Sequence, residues 1–158
     1  MANLTLFRLW LEILTSARVR VVGHSMLPTL WPDDRLLVNG VVLHLRHPRR
    51  GELVLLTEPD RPDVLAIKRV VGLPGERVAL ADGLLYVNLC PRIESYAVLQ
   101  AEPGTTETWR LGQDEYLTLG DNRRDARDSR RFGPVPRSSL RGAIRYRYWP
   151  AARAGFLD

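Results

Sequence analysis

The chain has 158 residues, the length of one domain with room for a sizeable core. Its 45% hydrophobic and 26% charged residues exclude a disordered chain and a multispan membrane protein. Lys and Arg outnumber Asp and Glu by 23 to 18, an excess that suits an anionic surface but is too modest and dispersed to single out nucleic acid as a partner.

The N-terminus reads "NLTLFRLWLEILTSARVRVV". Leu4, Leu6, Phe7, Leu9, Trp10, Leu11, Ile13 and Leu14 are apolar, and Arg8 and Glu12 stand one helical turn apart, where they can pair. A bilayer span needs about 20 apolar residues. This run is shorter, carries two charges and lacks the small-residue cleavage site of a removable signal peptide. The pattern predicts an amphipathic helix within residues 1–18, its apolar part at 4–16. Two placements fit it: in a membrane interface with Arg18 and Arg20 near headgroup phosphates, or packed on protein.

From Val19 onward the pattern changes to strand-like runs: "RVRVVG", "DRLLVNGVVLHL", "GELVLLT", "DVLAIKRVVG", "ERVALADGLLYVN", "EYLTLGD" and "AIRYRYW". Several alternate apolar and polar residues at period two, and turn signals such as Pro48-Arg49-Arg50-Gly51, Pro74-Gly75 and Asp82-Gly83 punctuate them. Apart from a turn near "RSSL", no helical period follows residue 16. A mostly β domain over 19–150 is expected, with residues 151–158 as a C-terminal tail. The stretch from about 88 to 113 has the weakest pattern and reads as an excursion from the main sheets. Cys90, the one cysteine, offers neither an internal disulfide nor a thiolate metal cluster, and a packing or bystander role is expected.

Chemistry concentrates in three segments. In "VVGHSMLPTL", Ser25 could be a nucleophile if a base took its proton. His24 is adjacent, and neighbours on an extended strand point to opposite faces. His44 and His47 could mimic a metal pair but have no evident third ligand. Lys68, in "DVLAIKRVVGLPGE", is the better candidate. Alternation places it with Ala66 and opposite Ile67, and burial of that face would push its amine toward the neutral, basic form. The competing reading is a surface lysine at a strand end. Against it, Lys68 is the sole lysine among cations that are otherwise all arginine, a side chain that cannot serve as the base. In the third segment, "GDNRRDARDSRRFGPVP", Asp121, Asp125 and Asp128 could be acid–base carboxylates, but the interleaved arginines favour ion-paired scaffolding.

Taken together, the three segments resemble the bacterial type I signal (leader) peptidases, which are serine–lysine membrane proteases. The family's blocks stand here as "GHSMLPTL", "KRVVGLPGE" and "GDNRRDARDSRRFGPVP", in the family's order, with "DRLLVN", "RRGELVLL" and "DGLLYVN" resembling its connecting strands. The likeness covers about residues 19–149. It implies an antiparallel β domain riding on the membrane surface, on the extracytoplasmic face of a bacterial plasma membrane, with no cofactor or metal. Ser25 corresponds to the nucleophile and Lys68 to its general base, and Met26 and Pro28 shape the wall and turn beside the serine. Asp121, Arg123, Asp128, Ser129 and Arg130 match residues bracing the lysine and cleft. Gly23 matches a subgroup lacking the serine hydroxyl that other members supply to the oxyanion hole. The implied substrates are exported preproteins with small residues at −1 and −3.

Two departures stand out. Ala126 occupies the position of a serine whose hydroxyl steadies the lysine amine. The transmembrane helix usual before the serine block is also missing from the 24 residues preceding Ser25, which makes an interfacial helix the expected membrane contact. Other readings remain open at this level: a peptidase maturing one dedicated partner, a self-cleaving repressor-type serine–lysine protein, or an inactive membrane-bound binding protein. The oligomeric state is left open.

Overall fold

A computed structural model describes residues 16–98 and 104–157. Strands β1 (Ala17–Arg20), β2 (Arg35–Asn39), β3 (Leu53–Glu58) and β4 (Arg61–Gly72) come first in the chain. β5 (Arg77–Ala81), β6 (Leu84–Val87), β7 (Cys90–Arg92) and β8 (Thr106–Arg110) follow. β9 (Glu115–Leu119), β10 (Val135–Pro136), β11 (Leu140–Trp149) and β12 (Gly155–Phe156) complete the set. The large sheet runs β1-β2-β11-β3-β4-β9-β10, with β12 paired to β11; the small sheet runs β7-β6-β5-β8. All strand pairings are antiparallel among the described residues. The mostly β architecture is the one expected.

Turn chemistry fixes the hairpins. Asp82 and Gly83, at φ 49° and 79°, join Ala81 to its register partner Leu84, the two-residue geometry that matches strand twist. One apolar cluster, Val21, Met26, Leu30, Leu36, Val38, Leu53 and Ile144, lies under the segment carrying Ser25. A second, including Val71, Val78, Leu85, Val87, Leu117 and Leu119, seals the small sheet to the large one. Each buried aliphatic side chain contributes roughly 1.5–3 kcal/mol, so these clusters dominate the domain's stability.

The structure departs from the strand-like reading of "DRLLVNGVVLHL" at Asn39. There the strand stops and helix α1 (Gly40–Leu45) begins, because the Asn39 side chain accepts from Val42 N at 3.1 Å and caps the first turn. The expected 88–113 excursion supplies both edge strands of the small sheet, β7 and β8. The expected tail is structured: Leu157 N donates to Arg145 O at 2.9 Å, and Arg153 reaches the buried carboxylate of Asp34 at 2.7 Å. The N-terminal helix proposed for residues 1–18 lies outside the described residues up to 15, whereas Ala17 and Arg18 are strand, opposite Val38 and Leu37. Among the described residues no helix is long and apolar enough to cross a membrane.

Candidate active site

Ser25 sits in a tight turn between β1 and β2. Gly23 enters that turn at φ 87°, a left-handed conformation that strains any side-chain-bearing residue. Leu27 N donates to His24 O at 3.1 Å and Leu30 N to Met26 O at 2.9 Å. Met26, 2% exposed, plugs the turn into the core, and Pro28 follows a cis peptide bond. Asp34 closes the far end, accepting from Trp31 N at 3.0 Å and from Arg147 and Arg153.

Lys68 lies in the middle of β4, opposite Val54 of β3. It is only 4% exposed, and its Nζ donates to Ser25 Oγ at 2.9 Å. Burial pulls the amine below its ordinary pKa. The carboxylates of Asp128, Glu58 and Asp121 oppose that shift, and the Arg130 guanidinium adds to it. A buried amine held against a serine hydroxyl is set up to exchange a proton with it. Both side chains open onto a cleft of about 400 Å³, whose walls include Val22, Met26, Leu55, Leu65 and Ile67.

The third segment wraps behind the serine. Asn122 N donates to Ser25 O and Asn122 Nδ2 to His24 O, both at 3.1 Å. Gly120 must lack a side chain, since a Cβ there would stand 2.5 Å from Ser25 O and collide with the Ala126 methyl. Asp121 accepts the Arg69 fork at 2.9 and 2.7 Å, and Thr29 Oγ1 at 2.5 Å. Asp128 caps helix α2 (Ser129–Phe132), accepts from Gly120 N at 2.9 Å and holds Arg130. Arg130 in turn donates to Arg123 O at 2.7 Å. Arg123 Nε donates to Gly120 O at 3.0 Å, and Ser129 Oγ accepts from Thr118 N at 3.0 Å.

The family model for signal peptidase, peptidase S26, matches residues 1–149 of this chain. The chain belongs to the signal peptidase S26 family.

Relatives in that family include a probable signal peptidase I-2 from Synechocystis, 39% identical over 87% of this chain and 65% of its own length. A signal peptidase I from Leptolyngbya laminosa is 37% identical over 87% of this chain and 70% of its own. The crystal structure of a signal peptidase I from Enterococcus faecalis V583 superposes with a TM-score of 0.55 at 30% identity, covering 62% of this chain and 97% of that one.

Within this S26 site, Gly23, Met26, Lys68, Asp121, Arg123, Asp128, Ser129 and Arg130 lie around the Ser25 turn or in the loop that braces it. His44 and His47 lie on and just after helix α1, and Asp125, though part of the bracing loop, makes no contact with the Ser25 turn among the described residues. That carboxylate is exposed and only accepts from Asn122 Nδ2 at 3.5 Å. His24 is exposed, and His47 is engaged by the Tyr116 hydroxyl at 2.7 Å and by Arg137. No group of three or more metal-ligating side chains occurs among the described residues. Sequence reading missed four supporting residues. Arg69 and Thr29 stood inside the quoted blocks. Glu94 and Tyr96 lay in the patternless stretch, where no local spacing marked them.

Proposed function

We propose that the chain is a leader peptidase that cuts exported preproteins after small residues, with Ser25 as nucleophile and Lys68 as general base. The observation that carries this reading is the 2.9 Å contact between a buried amine and the serine hydroxyl. With Lys68 neutral, the Ser25 O–H donates to Nζ and Oγ attacks the scissile carbonyl. The resulting oxyanion is stabilised by the Ser25 N–H, and the ammonium then protonates the departing amine. Water, deprotonated by the same amine, releases the acyl group. The apolar cleft walls favour a small −1 side chain.

Cleavage of an Ala-x-Ala peptide tests this. The rate will rise with pH as the amine deprotonates, and leucine at −1 will slow cutting by about tenfold or more. A rate that falls between about pH 6 and 9 in folded protein would point to a different base. In the same assay, anionic vesicles will capture the full chain and not a version lacking residues 1–16, as an interfacial helix requires. Equal capture of both would remove that role.

Ala126 offers a second check. A hydroxyl restored there would contribute a hydrogen bond to the lysine amine, roughly 0.5–1.5 kcal/mol. Ala126→Ser is therefore expected to raise kcat/KM by about two- to twelvefold through kcat, and to do nothing in a Lys68→Ala background. A tenfold loss would instead show that the methyl is needed against Gly120.

A further inference from the structure

Residues 93–98 leave the small sheet after β7 and cross to the turn that backs the serine. Tyr96 lays its ring 4.0 Å from the Arg69 guanidinium carbon, and its hydroxyl donates to Glu94 Oε1 at 2.9 Å. The same carboxylate oxygen accepts from Arg123 Nη2 at 2.7 Å. Val98 N donates to Asp121 O at 2.9 Å, and Val98 forms an isolated parallel bridge with Asn122. Two side chains thus hold both arginines on which the 120–123 turn rests. Arg69 fixes Asp121, and Arg123 fixes the Gly120 carbonyl. That turn in turn fixes the backbone of the nucleophile, through Asn122 to His24 and Ser25 and through Asp121 to Thr29.

We infer that Glu94 and Tyr96 form a strap that positions Ser25 for attack, through Arg69 and Arg123; the inference rests on Ser25 being the nucleophile. Neither residue lines the cleft onto which Ser25 and Lys68 open, so they act through Arg69 and Arg123 rather than as its walls. Their effect travels through a relay whose charged side chains, Glu94, Arg123, Arg69 and Asp121, are all buried. Desolvated cation–π contact and charge-assisted hydrogen bonds give that relay its stiffness. Glu94 Oε1 takes two donors, while the buried Oε2 and Arg123 Nη1 take none among the described residues. The pair is therefore arranged to hold its neighbours rather than to close a bidentate fork of its own.

A misplaced nucleophile loses rate without losing substrate affinity. Tyr96→Leu removes the ring and hydroxyl together. On the Ala-x-Ala peptide, at a temperature where circular dichroism shows the variant folded, kcat is expected to fall about tenfold with KM within about twofold. Tyr96→Phe keeps the ring over Arg69 and is expected to recover at least about half of the wild-type kcat. Should the leucine variant fail to fold, Tyr96→Met takes its place, because the flexible thioether refills the space without a π face. A kcat within twofold of wild type in the folded Leu or Met variant would overturn the strap, as would a loss confined to KM. A wild-type protein that cuts no such peptide overturns the peptidase reading, and the strap with it.

Discussion

Lys68→Arg will leave a folded protein with no measurable peptide cleavage. The guanidinium carries its charge throughout the accessible pH range, so it cannot accept the Ser25 proton, even though it can still donate a hydrogen bond. Ser25→Ala and Lys68→Ala are expected to be equally inactive, each losing on the order of 10⁴-fold or more. The double variant will be no worse than either single one, because the two groups act as one unit. Kinetics on purified variants, with circular dichroism as a check on folding, decide the matter. Turnover retained in Lys68→Arg would remove Lys68 as the base. Stability supplies an independent signature. Burial lowers the amine's folded-state pKa below its unfolded value of about 10.4, so the unfolded chain binds the extra proton. Stability contributed at this site therefore rises with pH between the folded and unfolded pKa values. The advantage of an uncharged Lys68→Met variant over wild type should shrink across that window. An advantage that grew with pH would mean the amine is not held below its ordinary pKa.

Asp121→Asn will cost much of the domain's stability. Arg69 and Asp121 are each 1% exposed at their side chains, and removing the carboxylate charge leaves the buried guanidinium without the counter-charge of its ion-pair partner. Breaking such a pair costs about 3–5 kcal/mol, a large part of the roughly 5–15 kcal/mol that holds a domain together. The urea midpoint should drop by about 1 M or more with the slope unchanged. By contrast, the Arg20–Asp33 pair spans 3.5 Å with both side chains well exposed, so Arg20→Ala should shift stability by less than about 1 kcal/mol. If the two variants proved equally mild, the buried pair would not be the brace its burial implies.

What could be read from the sequence follows the range of the interactions involved. Period-two alternation and Asp-Gly or Pro-Gly turns are local, so most strands of both sheets were legible before any coordinates. The segments holding Ser25, Lys68 and Asp121 carried recognisable spacing, and the fold brings them to one place across the 43 residues from Ser25 to Lys68 and the 52 from Arg69 to Asp121. Asn39 was misread because a cap is decided by one side chain turning back on its own backbone, inside a run that otherwise looks like strand. Glu94 and Tyr96 were invisible for the opposite reason. Arg69 lies 27 residues before Tyr96 and Arg123 lies 29 residues after Glu94, and nothing in "IESYAV" announces them. Residues 151–157 resemble a tail in sequence, yet Arg153 has a destination in Asp34 that only the three-dimensional arrangement supplies.

Lys68 has one more consequence, which concerns the bench rather than the reaction. These 158 residues contain a single ε-amine, and it is buried. Protein grown on ¹⁵N-lysine would give one side-chain nitrogen resonance, already assigned, whose titration reads the amine's proton affinity with no substrate present. The same scarcity governs handling. Amine coupling to a sensor surface, or reductive methylation before crystallisation, finds no solvent-facing lysine to use among these residues. Any reagent that does reach the ε-amine has entered the cleft, so slow loss of activity under such treatment would measure how often the cleft admits a small molecule.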